Sequence, residues 1–244
     1  MKTTSPLRLS ICIPVYNEAA TITQVVERVR QIPARTEIIA VDDASTDGSG
    51  DVLERLLEAG KVDQLVRHPK NRGKGAAIRS AIAHATGDVV VIQDADLEYD
   101  PMDLPALLNP IESGKADAVY GSRFQGGPHR VLYFWHYVGN RFLTLLSNMF
   151  TNLNLTDMET CYKLVRTELI QRLPLSANRF GFEVEITARL SQSNARVWEL
   201  PISYSGRTYA EGKKITWRDG AAALFHIVRY NLFPPRGDWR SLRP

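Results

Sequence analysis

The run Asp88-Val89-Val90-Val91-Ile92 constrains the fold more than any other stretch of this chain. It is β-branched and shows no alternation of polar and apolar residues, so a strand built from it must be covered on both faces. Strands of that kind lie inside parallel sheets whose crossovers are helices. The residues before it keep the matching rhythm. Leu9 to Val15 reads as a strand, and Ile22, Val25, Val26, Val29 and Ile32 then recur at helical spacing. Glu37 to Val41 reads as a second strand, Val52, Leu53, Leu56 and Leu57 as a second helix, Val62 to Val66 as a third strand, and Gly75 to Ala85 as an Ala-rich helix. Ala116 to Tyr120 adds a further strand after the central run. The expectation is an α/β fold: a single Rossmann-like, mostly parallel sheet flanked by helices, with right-handed crossovers.

After Gly121 the pattern changes. Residues 131–150 are apolar and aromatic but broken by His136, Asn140 and Arg141; residues 181–193 read as a helix, Arg196 to Tyr204 as a strand, and Asp219 to Leu232 as an amphipathic helix. With no internal repeat or linker, residues 1–233 are expected to form one domain with C-terminal amphipathic helices, followed by a loose Pro- and Arg-rich tail at 234–244. The net charge of +3 is too small to indicate nucleic acid, but suits phosphate-bearing small molecules or an anionic membrane surface. No signal-like apolar segment opens the sequence and no run reaches the length of a membrane span, so a cytoplasmic location is expected. Cys12 and Cys161, the only cysteines, fit two buried reduced thiols. Asn154-Leu155-Thr156 matches a glycosylation acceptor by chance in such a context.

Ligands of open α/β sheets bind beyond the carboxyl ends of the strands, and here those ends carry the chemistry. The first strand runs into Pro14-Val15-Tyr16-Asn17-Glu18, the second into Asp42-Asp43-Ala44-Ser45, the central run into Gln93-Asp94-Ala95-Asp96-Leu97-Glu98, and the next into Gly121-Ser122-Arg123. Asp94 and Asp96, two apart just past a buried strand, suit a hard divalent cation shared with phosphate oxygens, with Glu98 as a third ligand or the holder of a ligand's water. Asn71-Arg72-Gly73-Lys74-Gly75 precedes the Ala-rich helix. It reads equally as a phosphate cradle charged by Lys74 or as an ordinary helix entry. Asp43, Ser45, Asp47, Gly48 and Glu54 have the spacing of a calcium loop, but a strand precedes them where such a loop needs a helix, so Asp43 is better placed to receive a base or ribose.

Taken together, IPVYNE, VDDASTDGS, NRGKGAAIRSAI, DADLEYDP, YGSRF, TDMETCYKLVR and GKKITWRDG resemble the family 2 glycosyltransferases, in particular the group of dolichyl-phosphate mannose and glucose synthases, in order over roughly residues 9–232. The resemblance implies a GT-A fold and an inverting, Mg2+- or Mn2+-assisted transfer of a hexose from a nucleotide-sugar to a polyprenyl phosphate. It puts Pro14, Tyr16, Glu18 and Asp43 at the nucleotide base and ribose. Asp94, Asp96 and Glu98 fall on the metal and diphosphate motif, where some relatives carry Gln at the third position. It makes Arg123 a basic group after the next strand, and Arg207 and Lys213 part of a flexible basic segment that closes over phosphates. Many relatives carry C-terminal transmembrane helices that this sequence lacks.

On this reading Asp96, Arg123 and Arg207 are the catalytic residues, and Lys74 and Lys213 join the donor-binding set. A phosphate monoester is already largely dianionic near neutral pH and needs positioning more than a base. A sugar-hydroxyl acceptor would need one, and Asp157 is a candidate, although capping or an ion pair with Lys163 or Arg166 suits it better. Tyr133, Phe134, Trp135, Tyr137, Phe142, Leu145, Leu146 and Phe150 read equally as headgroup-layer residues or as core, as do Phe225, Ile227, Val228, Leu232 and Phe233 beside Arg229 and Arg236. The basic residues suit peripheral attachment to the inner face of the cytoplasmic membrane. Two rivals are a nucleotidyltransferase, which needs a Gly-rich loop where this chain has YNEAATI, and a catalytically dead module that binds membrane surfaces.

Overall fold

The computed structural model describes residues 6–131, 133–179, 181–208, 217–237 and 239. Its centre is a seven-stranded sheet in the order β3-β2-β1-β4-β6-β5-β7, formed by β1 (Arg8–Val15), β2 (Arg35–Asp42), β3 (Gln64–Arg67), β4 (Val89–Ile92), β5 (Ala118–Ser122), β6 (Lys163–Arg166) and β7 (Val197–Pro201). All pairings are parallel except those of β6, which runs antiparallel to both β4 and β5. The sheet is therefore mostly parallel, as its sequence rhythm requires.

Each residue of β4 is buried, as its unbroken apolar run demands. The helices α1 (Ile22–Arg30), α2 (Ser49–Glu58), α3 (Lys74–His84), α4 (Leu104–Glu112), α5 (Phe134–Thr151), α6 (Thr167–Ile170), α7 (Phe182–Gln192) and α8 (Trp217–Leu232) flank it. α1 buries Ile22, Val25, Val26 and Val29, the stripe its periodicity marks. α3 presents Ala76, Ala77 and Ala81, small enough to bring its backbone close to β1 and β2. Four elements were not read from the sequence: α5, whose segment 131–150 shows only an interrupted apolar and aromatic run, and three with weaker signals. β6, α4 and α6 are short or carry proline (Pro110 lies inside α4), and their periodicity is correspondingly weak.

At the sheet edge opposite the acidic strand ends, buried Glu37 joins β1, β2 and the turn before β4. It accepts hydrogen bonds from Ser10 Oγ, from Thr86 N at 2.7 Å and Oγ1 at 2.6 Å, and from Gly87 N at 2.8 Å. Burial works against its charge, yet these donors outweigh it and hold the carboxyl below its ordinary range.

Strand order reverses between β1 and β4: β2 and β3 extend to one side of β1, and the later strands to the other. The crevice at such a reversal is where doubly wound sheets take ligands. At the far side, α7 and α8 are joined through buried Arg189, whose Nη1 donates to the Tyr230 carbonyl at 3.0 Å. Its guanidinium also lies 5.6 Å from the ring of Trp239, which is buried. The tail expected to be loose thus packs back at this residue.

Candidate active site

The turns after β1, β2 and β4 are held in costly backbone conformations. Asn17, Ala44 and Leu97 have φ of 55°, 61° and 64°. Left-handed backbone at Ala and Leu costs of order 1 kcal/mol or more and persists where the surroundings over-determine it, as at functional sites. The first two turns are stitched together: Asn17 N donates to Ser45 Oγ at 3.1 Å, Glu18 N to Ser49 Oγ at 2.9 Å, and Ala19 N to Asp47 at 3.0 Å. Thr21 Oγ1 donates to the Ala95 carbonyl at 2.6 Å, tying the start of α1 to the turn after β4.

Glu18, Asp94, Asp96 and Glu98 meet two cations at this edge. Lys74 Nζ, at the first residue of α3, lies 2.8 Å from Asp94 and 3.3 Å from Glu183. Burial disfavours the lysine's charge, but the two carboxylates hold its pKa well above the ordinary value. Arg207 lies 2.9 Å from Asp96, 3.5 Å from Glu98 and 3.7 Å from Glu18. Burial, then the charges of Asp94 and Glu98, push the Asp96 carboxyl up to about 7 against the pull of Arg207. Asp94 is set by its neighbour: the Gln93 amide donates to the Asp94 carbonyl at 3.0 Å and accepts from the Tyr162 hydroxyl at 2.6 Å.

Glu98, expected as a third metal ligand or as the holder of a ligand's water, has a donor on each oxygen. One oxygen accepts from the Tyr204 hydroxyl at 2.7 Å and the other from the Arg207 amide at 2.8 Å, so the carboxylate fastens the 204–207 segment to the turn after β4. Among the described residues, no three His, Cys, Asp or Glu side chains are gathered to hold a metal ion. The pair Asp94 and Asp96 fits a small hard cation. Such an ion takes one or two protein carboxylates and completes its shell with phosphate oxygens and water. The crowding of like charge around Asp96 is what a cation would relieve.

Asp43 is also committed internally. Its buried carboxylate accepts from His68 Nδ1 at 2.6 Å, Arg72 N at 2.9 Å and Gly73 N at 2.7 Å, and so shapes the entry to α3. Gly73 and Gly75 serve packing: a Cβ would lie 2.4 Å from the Asn178 carbonyl oxygen at the first and 2.5 Å from that of Ala177 at the second. Their backbones press on residues 177–178, which favours the helix-entry reading of this loop over a phosphate cradle. Pro14 lies in β1 opposite Val41, and Tyr16 is exposed on the ligand edge just beyond it. Lys213 lies outside the described residues.

Asp157 pairs with neither Lys163 nor Arg166. It is fully buried and holds Arg123 in a two-pronged ion pair, with Nε at 2.6 Å and Nη2 at 2.7 Å. Arg166 turns to Asp117 at 3.8 Å, and Lys163 Nζ donates to the Thr160 carbonyl. The Arg123 guanidinium lies 5.1 Å from the ring centre of Tyr204, the residue that also binds Glu98. Tyr204 therefore links Arg123 to the acidic edge, a role without a motif of its own in the sequence.

The fold is of the GT-A type. Glucosyl-3-phosphoglycerate synthase from Mycobacterium tuberculosis, solved in complex with Mn2+, uridine-diphosphate and glucosyl-3-phosphoglycerate, superimposes with a TM-score of 0.71 at 20% identity, covering 95% of this chain and 82% of that one. Residues 10–173 match the family described as Glycosyl transferase family 2. Undecaprenyl-phosphate mannosyltransferase of Micrococcus luteus is 30% identical over 249 residues, spanning 97% of this chain and 98% of that protein. Polyprenol monophosphomannose synthase of Mycolicibacterium smegmatis is 28% identical over 233 residues, 92% of this chain and 87% of that protein. The chain belongs to glycosyl transferase family 2, and it is a hexosyltransferase.

Proposed function

We propose that this enzyme transfers a hexose from a UDP- or GDP-sugar to the phosphate of a polyprenyl phosphate, and that residues 1–233 form the catalytic unit. The observation that carries the reading is the single edge on which Asp94 and Asp96 face Lys74 and Arg207, with Arg123 linked to it through Tyr204. The acceptor class follows the full-length likeness to polyprenyl-phosphate mannosyltransferases.

Asp94 and Asp96 would hold Mg2+ or Mn2+, which, when bound, neutralises charge on the departing diphosphate. Tyr16, beside Pro14, offers a ring face to the nucleotide base, and Asp43 holds the α3 entry that borders it. Arg207, fastened by Glu98, presents its guanidinium to phosphate oxygens, with Glu18 steadying its far side. Arg123 positions the acceptor phosphate. One phosphate oxygen attacks the anomeric carbon from the face opposite the leaving group. The new C–O bond forms as the bond to the diphosphate breaks, and the electron pair leaves with the nucleoside diphosphate. A phosphate dianion needs no base, which agrees with an Asp157 locked onto Arg123.

The acceptor's lipid tail suits the outer face of α5 and α8, which pack on each other. Trp135 is 76% exposed and Phe233 74%, with Phe134, Phe142, Leu145 and Phe225 also outward, whereas Leu146 is partly covered and Ile227 buried. Arg141, Arg229 and Arg236 are exposed among them. We propose peripheral attachment of this face to an anionic membrane surface. Among the described residues, no helix is long and apolar enough to cross a membrane. The reading is tested by supplying labelled UDP- and GDP-hexoses with a short polyprenyl phosphate and Mg2+ or Mn2+. Label should enter the organic phase with one donor; its absence with every donor would refute the acceptor class.

A further inference from the structure

Two carboxylates next to the acidic edge have no part in the mechanism above. Glu183, the second residue of α7, is only 6% exposed. One of its oxygens faces Lys74, while Oε2 is enclosed and has no hydrogen-bond partner. Glu159, in the loop before β6, likewise has an enclosed Oε1 with no partner, and Thr160 Oγ1 beside it is a third such atom. Native folds seldom enclose acceptor oxygens without donors, because each loses its water and gains nothing in return. The two carboxylates feel each other: burial, then the charge of Glu183, pushes Glu159 up to about 7.

Their position gives these oxygens a purpose. Glu183 is one lysine away from Asp94, since Lys74 Nζ bridges the two. Glu159 follows Asp157 by two residues and lies within electrostatic reach of Asp157 and Arg123. Glu183 thus adjoins the group assigned to the departing diphosphate, and Glu159 lies within electrostatic reach of the group assigned to the incoming phosphate, so the two carboxylates border the space between those phosphates. In a single displacement the transferred sugar must occupy that space. A hexose offers several hydroxyl donors and no charge, which is what enclosed carboxylate oxygens without donors lack.

We propose that Glu159 and Glu183 form a subsite that accepts hydrogen bonds from hydroxyl groups of the transferred hexose and so selects among donor sugars. This deepens the transferase reading and rests on it for the placement of the two phosphates.

The test compares Glu159→Ala and Glu183→Gln with the unaltered enzyme. Calorimetry in Mn2+ measures GDP against GDP-mannose and UDP against UDP-glucose, and a transfer assay measures kcat and KM for the donor that turns over. Loss of a charge-assisted hydrogen bond to a hydroxyl is expected to weaken the nucleotide-sugar about tenfold or more, and nucleoside diphosphate binding less than about twofold. The same variants are expected to narrow the preference for one hexose over its epimers. Retained nucleoside diphosphate binding also shows that the variant is folded. The proposal is overturned by equal weakening of diphosphate and nucleotide-sugar, by no change in either, or by a fall in kcat with KM unchanged, which would make the carboxylate a base. An enzyme that binds the nucleotide-sugar through these residues but transfers nothing to polyprenyl phosphate would remove the acceptor assignment and leave the hexose subsite standing.

Discussion

Asp43, Asp94, Asp96 and Glu98 share one chemistry and occupy four different surroundings. Asp43 is taken up by His68 and the α3 entry, Asp94 by Lys74, and Glu98 by Tyr204 and the Arg207 amide, while Asp96 accepts from the Glu98 amide at 3.2 Å and shares the Arg207 guanidinium. Sequence spacing brings all four to the ligand edge but cannot say which side chain keeps an oxygen for a ligand. Asp157 shows the same limit. Lys163 and Arg166 lie near it in the chain, yet its partner is Arg123 across the sheet edge. Two substitutions separate these roles. Asp96→Asn should fold normally and lose transfer by at least about a hundredfold, since a developing charge loses its stabilising group; near-normal turnover would remove Asp96 from the metal role. Tyr204→Phe should leave donor binding intact within about twofold but lower kcat about tenfold, because Arg123 and the 204–207 segment lose their common tie. Steady-state kinetics distinguishes the two patterns.

At the scale of elements, strands and helices with strong periodicity were legible from the residues alone. β1, β2, β4, α1 and α3 stand within two residues of the spans read from sequence. The elements missed lack that signal: β6 is the four-residue Lys163–Arg166, and its antiparallel direction depends on partners distant in the chain. The loop before α3 reads two ways because glycine serves both phosphate approach and backbone packing; its contacts with residues 177–178 show the packing role. Gly75→Ala puts a methyl group against the Ala177 carbonyl without any positive φ to confuse the result. It should cost about 2 kcal/mol and lower Tm by roughly 4–8 °C in a chain of this length, as thermal melting would record. On α5, replacing Phe134 and Trp135 with Ser should reduce sedimentation with anionic lipid vesicles several-fold and leave Tm unchanged. Retention equal to the unaltered protein would exclude this face from the membrane.

For the whole molecule, the sheet separates two buried polar networks: one at its acidic strand ends for ligands, and one around Glu37 for stability. Glu37 has a depressed pKa in the folded state, so its contribution is complete above the unfolded carboxyl's range and fades as pH falls through the folded value. Glu37→Gln should therefore lower Tm at pH 7, and its deficit should shrink on acidification. A deficit independent of pH would show that shape, not charge, matters there. The account as a whole depends on the carboxylates beyond β4 binding a divalent cation together with a nucleoside diphosphate. The most direct measurement is titration of the protein with GDP and UDP, in Mn2+ and in chelator, for the unaltered chain and for Asp94→Asn. The account requires one nucleotide to bind tightly only with Mn2+ and to lose that dependence in the variant. Binding of equal strength in chelator, or an unchanged Mn2+ dependence in Asp94→Asn, would contradict it.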